Sequence, residues 1–208
     1  MKIKVRKDPF PHVIIKNVYE EDELEMIWDE LKFFTRPGKL LPPQVYGAAW
    51  YETAETAEKS YKTKASAIVL DEVFYKLIHS SIISLESKIL NTNAVQKLSE
   101  IHESCRYFCN DIDLLTKLRY YHDGESYDTH TDYLFSYIFF TYFHKTPKKY
   151  KGGELIFPDH DYSFSCDNNS TILIPAYIAH GVNEVSIKDS DYYDGYGRYC
   201  VTMFAKVQ

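Results

Sequence analysis

A mainly β fold with flanking helices, α+β in class, is what this sequence predicts, and three observations carry it. The 208-residue chain holds 19 Tyr and 12 Phe, residues that pack well on pleated, half-buried surfaces. From residue 114 onward, short aromatic or β-branched runs alternate with turn residues, the spacing of a sandwich or barrel. Residues 1–110 instead carry apolar positions at helical spacing. One domain is the default at this length. The expectation is therefore a single domain, 1–208, with 1–110 as a helical support region and 114–207 as the β core.

Residues 10–15 read as a short strand after a proline stop. Residues 17–34 place Leu24, Ile27, Trp28 and Leu31 on one helical face, with acids at the start, where the positive end of a helix dipole favours them. Residues 37–43 are a Pro/Gly loop. Ile68-Val69-Leu70 is a short apolar strand, and Asp71 is placed to cap a helix over 72–90. A second helix is expected over 94–109. The strands of the second half fall at 115–121, 133–143, 153–157, 171–175 and 199–207. The Lys148-Lys149 pair and residues 192–196 lie between runs and read as exposed loops.

Composition excludes several classes. A net charge of -6 argues against a general nucleic-acid binder, which shows a basic face. No apolar run reaches the length of a membrane span. The basic start, Met1 to Lys7, leads into no apolar stretch, so no signal peptide is expected. Cys105, Cys109, Cys166 and Cys200 contain no CxxC pair and read as reduced thiols of a cytoplasmic protein.

The chemistry concentrates in His130-Thr131-Asp132, His180-Gly181 and Arg198. Two imidazoles and one carboxylate can take one face of a metal and leave the other open, as in the facial triad of non-haem Fe(II) oxygenases. On an extended segment His130 and Asp132 point the same way. His-x-Asp alone is weak; His122-Asp123 and Asp159-His160-Asp161 are equally cheap pairings. His180 follows the core run Ile172-Leu173-Ile174-Pro175, and its competing role is that of a buried structural histidine. Arg198, Cys200, Thr202 and Phe204 share one strand face. A guanidinium inside a barrel is costly unless it meets an anion. That anion is either a ligand carboxylate held bidentately or a surface acid such as Asp194.

The order Tyr120, His130-x-Asp132, Gly152-Gly153-Glu154-Leu155, His180-Gly181-Val182 and Arg198-Tyr199-x-Val201-Thr202 resembles the 2-oxoglutarate- and Fe(II)-dependent dioxygenases, in particular their prolyl 4-hydroxylase branch. The resemblance covers about 115–206 well and 8–110 only loosely. It implies a double-stranded β-helix, a cupin-like jelly roll, supported by the N-terminal helices. It implies that His130, Asp132 and His180 ligate iron and that Arg198 holds the far carboxylate of 2-oxoglutarate. Tyr120, Tyr142 and Thr202 are further cosubstrate contacts on the same reading, with plain core packing the alternative for either tyrosine. Arg198 lies farther behind His180 than related hydroxylases place this cation. Residues 187–197 therefore read as an inserted loop, and Lys188 is the rival anchor.

The activity so implied is hydroxylation of a C–H bond with dioxygen, releasing succinate and CO2, with ascorbate a candidate reductant. A prolyl residue of a peptide or protein is the leading substrate. Alternatives are a free amino acid or other small molecule, and a non-catalytic jelly-roll binding module. The candidate substrate-facing segments are 37–51, with Tyr46, Trp50 and Tyr51, together with 144–151 and 188–197.

Overall fold

The computed structural model describes residues 1–52, 59–73, 80–106 and 112–207. Its first half holds β1 (Lys2–Arg6), β2 (His12–Lys16), α1 (Glu21–Phe34), α2 (Pro43–Tyr46), β3 (Trp50–Glu52), β4 (Lys59–Tyr61), β5 (Ser66–Val69), α3 (Leu70–Val73), α4 (Ser81–Leu90) and α5 (Ala94–Ile101). The second half is almost all strand: β6 (Ile112–Tyr121), β7 (Tyr127–His130), β8 (Tyr137–Phe143), β9 (Lys151–Gly152), β10 (Leu155–Phe157), β11 (Tyr162–Phe164), β12 (Ser170–Pro175), β13 (His180–Val182), β14 (Val185–Ser186) and β15 (Arg198–Val207).

Two antiparallel sheets form the jelly roll. The larger runs β1-β2-β12-β8-β15-β6-β5 and the smaller β11-β10-β13-β7. Strand parity sorts each strand of the larger sheet into two faces. On β15 and β8, Tyr199, Val201, Met203, Phe139 and Phe143 point outward to a core built with Ile27 and Leu31 of α1, Ile82 and Ile89 of α4 and Leu98 of α5. Ile138, Phe140 and Ile172 point inward, against Leu155, Phe157, Phe164 and Val182 of the smaller sheet. The helices thus brace one face and leave the other for the inter-sheet space.

Local chemistry explains the bracing. The Glu20 N–H donates to Glu23 Oε2 at 2.8 Å at the start of α1, and Ile27, Leu31 and Phe34 form its buried stripe. Glu30 accepts from Ser80 Oγ at 2.6 Å and from the Ser81 N–H, satisfying the first free donors of α4. Glu86, on α4 and fully buried, accepts from Tyr19 Oη at 2.6 Å and Thr141 Oγ1 at 3.3 Å. Burial pushes its carboxyl up to about 7 against those two hydrogen bonds.

Several element boundaries differ from the sequence expectations. β1 was not foreseen, because Lys2, Lys4 and Arg6 alternate with its apolar residues, as suits a charged edge strand. The strand expected from 133 begins at Tyr137. Residues 133–136 turn instead, leaving Tyr133 81% and Leu134 73% exposed. The helix expected over 72–90 is observed as α3 and α4, with 74–79 outside the described residues. That expected over 94–109 ends at Ile101, followed by a 3-10 turn over Glu103–Cys105. Cys109 lies outside the described residues. The loops around 148 and 192 are not merely solvated. Lys149 Nζ pairs with Asp191 at 2.7 Å, and Tyr192 and Tyr193 pack on Tyr120 and His122. Among the described residues no helix is long and apolar enough to cross a membrane.

Candidate metal centre

The smaller sheet delivers both histidines. His130 ends β7, His180 begins β13, and the two are register partners. Gly181 makes the approach possible: a Cβ there would lie 2.9 Å from the Tyr127 carbonyl oxygen of β7. Each imidazole is clipped from behind. His130 Nδ1 sits 2.8 Å from the Asp128 carbonyl oxygen and His180 Nδ1 2.9 Å from that of Ile178. A carbonyl only accepts, so both Nδ1 atoms carry the proton and both Nε2 lone pairs are free. Tyr127 stacks on His130 at 4.1 Å, and Phe140 meets the edge of His180 at 5.2 Å.

Asp132 arrives by a different route from the one expected. It lies past the end of β7, so strand parity does not aim it. Its backbone N–H donates to the Ala176 carbonyl at 3.0 Å and its carbonyl accepts from Phe135, which fixes the turn. Asp132 Oδ2 then stands 3.4 Å from His180 Nε2 and 3.8 Å from His130 Nε2. One donor atom from each residue lies within 4.8 Å of the others. Adjacent ligands at bond lengths near 2.1 Å sit roughly 3 Å apart, so the three need only small rotations to share an ion. Burial, aided by neighbouring His180, lowers His130 to about 4. Burial works against ionising Asp132, but the neighbouring polar groups, His180 first and then His130 and Arg119, hold its carboxyl below the usual range. Two imidazoles presenting Nε2 beside a carboxylate are a donor set for a divalent metal.

The larger sheet forms the opposite wall. Arg198, at the start of β15, is 1% exposed. Its Nε donates to the Gly153 carbonyl at 2.7 Å, its Nη2 reaches only Cys166 Sγ at 3.8 Å, and its Nη1 is buried without a partner. Tyr121 and Tyr142 flank the guanidinium at 4.3 and 5.2 Å. Neither Asp194 nor any other described acid pairs with it. Gly153 cradles its stem: φ is +71° there, and a Cβ would lie 2.7 Å from Arg198 Cδ. The glycine pair of 152–155 thus has a local reason. Lys188 is exposed and lines no part of this cavity.

Tyr142 and Thr202 line the same cavity as Arg198 and the His/Asp group. The Tyr142 hydroxyl is buried without a hydrogen-bond partner, and Thr202 Oγ1 accepts from Arg119 Nη1 at 3.0 Å. Tyr120 is the correction. On β6 it pairs with Tyr199 and packs into the helix-side core, where its hydroxyl accepts from the Tyr193 N–H at 3.3 Å. One residue of parity puts a strand side chain on the other face, and it is Tyr121 that reaches the cavity. Sequence reading also missed Arg119, two positions earlier on the same face. The alternation of Lys117, Arg119 and Tyr121 with Leu118 and Tyr120 was the available signal.

Two spaces meet at His130 and Asp132. The inner one, between Arg198 and the His/Asp group, is about 20 Å³, room for roughly one water. The outer cleft is about 500 Å³ and is bounded by 47–50, by Lys62, Lys117 and Arg119, and by the turn of Tyr133 and Leu134. Trp50 of the expected substrate-facing segment lines it, whereas Tyr46 is buried in a small separate core and Tyr51 lines neither space.

No family model matches the sequence, and no curated protein matches it. Solved structures do share its fold. A prolyl-4-hydroxylase from Pseudomonas putida superposes with a TM-score of 0.61 at 15% identity, over 95% of this chain and 92% of that one. The viral collagen prolyl hydroxylase of Paramecium Bursaria Chlorella virus-1, in its 2OG complex, gives 0.54 at 12% identity, over 95% and 96%. The non-heme alpha ketoglutarate dependent epimerase SnoN of nogalamycin biosynthesis gives 0.56 at 8% identity, over 94% and 77%. Likeness at these identities establishes the fold, which prolyl-4-hydroxylases and other 2OG-Fe(II) oxygenases share with this chain.

Proposed function

We propose that this chain is an Fe(II)- and 2-oxoglutarate-dependent oxygenase that hydroxylates a C–H bond. The observation that carries the reading is the pairing, across one buried space, of a His130/Asp132/His180 donor set with an arginine that has no anion. His130, Asp132 and His180 would hold the iron. Arg198, backed by Tyr142, would hold the far carboxylate of 2-oxoglutarate, and Thr202 orients the neighbouring Arg119. When bound, iron would activate dioxygen as the oxidant, 2-oxoglutarate supplying two of its four electrons as it is oxidised to succinate and CO2 and the substrate C–H bond supplying the other two.

The protein's own contribution is placement and exclusion of water. The carbonyl clips on both Nδ1 atoms keep the imidazoles in the metal-binding tautomer. An orphaned guanidinium in a low-dielectric wall favours a carboxylate strongly, because partner and charge arrive together. The rings of Tyr121, Tyr142 and Phe140 enclose the space, which strengthens that attraction and limits side reactions. A prolyl residue is the first substrate to try, on the strength of the sequence resemblance and the shared fold. Fold alone does not choose it.

The test is conversion of 2-oxoglutarate to succinate by iron-loaded protein, followed by mass spectrometry for one added oxygen across prolyl peptides, free amino acids and small acids. Succinate formed only with iron and lost in Asp132→Ala supports the reading. Iron-loaded protein that neither binds 2-oxoglutarate nor consumes it would instead be a jelly-roll binding module.

A further inference from the structure

Arg119 is a second cation in the inner wall, and no function so far uses it. It is 6% exposed. Its Nη1 donates to Thr202 Oγ1 at 3.0 Å, and its Nε is buried without a hydrogen-bond partner. Its guanidinium lies 5.7 Å from the ring centre of Tyr127 and 5.8 and 5.9 Å from those of Tyr46 and Phe204. Aromatic faces ease the burial of a cation but do not replace an anion.

Position separates Arg119 from Arg198. Arg198 borders only the inner space. Arg119 borders both spaces, as do His130 and Asp132, and it shares the outer cleft with Lys117 and Lys62. Among the described residues the one acid bordering that cleft is Asp132, a member of the proposed metal-binding set. Lys117 is held down to about 8, first by burial and then by the charge of Arg119, with Asp132 and Glu72 pulling the other way. Among the described residues the like-charged pair thus lacks a counter-charge on the side from which a substrate would come. The rim above is apolar: Tyr133, Leu134 and Trp50 are all exposed there.

We propose that Arg119, with Lys117 beside it, binds a carboxylate of the substrate, so that the molecule hydroxylated is an acid with an apolar body. This rests on the oxygenase reading and narrows it. The carboxylate could belong to a free amino or organic acid or to an acidic residue next to the reacting position in a peptide, and the shared chemistry is the same. Arg119 is here a specificity-determining residue: it fixes which end of the substrate lies away from the metal.

The test uses the 208-residue chain loaded with Mn(II) and 2-oxoglutarate without oxygen, so that Arg198 is already engaged. Calorimetry or saturation-transfer NMR then compares N-acetylproline with N-acetylprolinamide, and a peptide carrying Pro-Glu with the same peptide carrying Pro-Gln. The expected result is tighter binding of the acid in at least one pair, by roughly tenfold to a hundredfold. The winning pair identifies the source of the carboxylate. The preference should vanish in Arg119→Met and persist in part in Arg119→Lys. Equal binding of acids and amides overturns the proposal even if Arg119→Met fails to fold. So does a loss of 2-oxoglutarate affinity in Arg119→Met equal to that in Arg198→Met, which would assign Arg119 to the cosubstrate. Failure of wild-type protein to turn over 2-oxoglutarate with iron is the separate result that removes the oxygenase reading itself.

Discussion

The two faces of the larger sheet treat buried charge in opposite ways. On the helix side, Glu86 is fully enclosed, hydrogen-bonded by Tyr19 and Thr141, and pushed up towards neutrality. On the inner side, Arg198 and Arg119 are also buried, cannot shed their protons, and keep nitrogen atoms without partners. A fold that can satisfy a carboxyl on one face has the means to satisfy ions on the other. Burying two arginines with no paired acid among the described residues costs stability, a cost that binding of the proposed anions would offset.

The largest expected effect is on the metal. His180→Ala should weaken Fe(II) or Mn(II) binding by roughly two to three orders of magnitude, read by calorimetry. His12 gives the sharpest contrast. It is 1% exposed and has the same clip, Nδ1 to the Phe10 carbonyl at 2.8 Å, but it packs on Phe10 and Tyr162. His12→Ala should cost stability and leave metal affinity unchanged; an equal metal loss would break the distinction between clipped structural and clipped ligating histidines.

Next comes Arg198→Met. It should raise the Kd for 2-oxoglutarate roughly a hundredfold or more. It should also stabilise the ligand-free protein by roughly 1–4 kcal/mol, seen as a higher unfolding midpoint. A destabilised variant would mean that the inner face is satisfied after all.

The matching test on the outer face is Glu86→Gln. Folded Glu86 titrates at about 7 against an ordinary 4.5, so the fold keeps a proton that the unfolded chain releases. The wild type should be most stable below about pH 4.5, lose roughly 3 kcal/mol relative to the variant as pH rises to 7, and stay level above. Denaturant melts at pH 5 and 8 read the difference. Parallel pH profiles for the two proteins would refute the neutral-carboxyl picture. Gly153→Ala should cost about 2 kcal/mol through its positive φ and the crowding of Arg198, and loosen 2-oxoglutarate as well. Smallest is Lys188→Ala: stability within ±0.5 kcal/mol and 2-oxoglutarate affinity unchanged.

The same comparison explains what could be read in the residues. The outer face is written in apolar periodicity, so α1 and the strands at 171–175 and 199–207 were legible to within a residue or a few. That His130, Asp132, His180 and Arg198 gather round one space was legible because the family resemblance carries those side chains at those places along the chain. Tyr120 against Tyr121 was not, since adjacent tyrosines differ only in parity, and parity is counted from a strand start that composition leaves loose. Arg119 was hidden for a related reason. Polar alternation along β6 marks a face that is not hydrocarbon, yet it does not distinguish open water from a lined interior. Asp132 converges through a turn pinned by the Ala176 carbonyl, a long-range contact that no local pattern carries.

Because each ring of the His130/His180 pair is already turned and tautomerically set by the carbonyl two residues before it, little order remains to be created when an ion lands. A chelator-stripped sample should therefore take iron back in a single fast step, with no lag for rearrangement and almost no change in its circular dichroism.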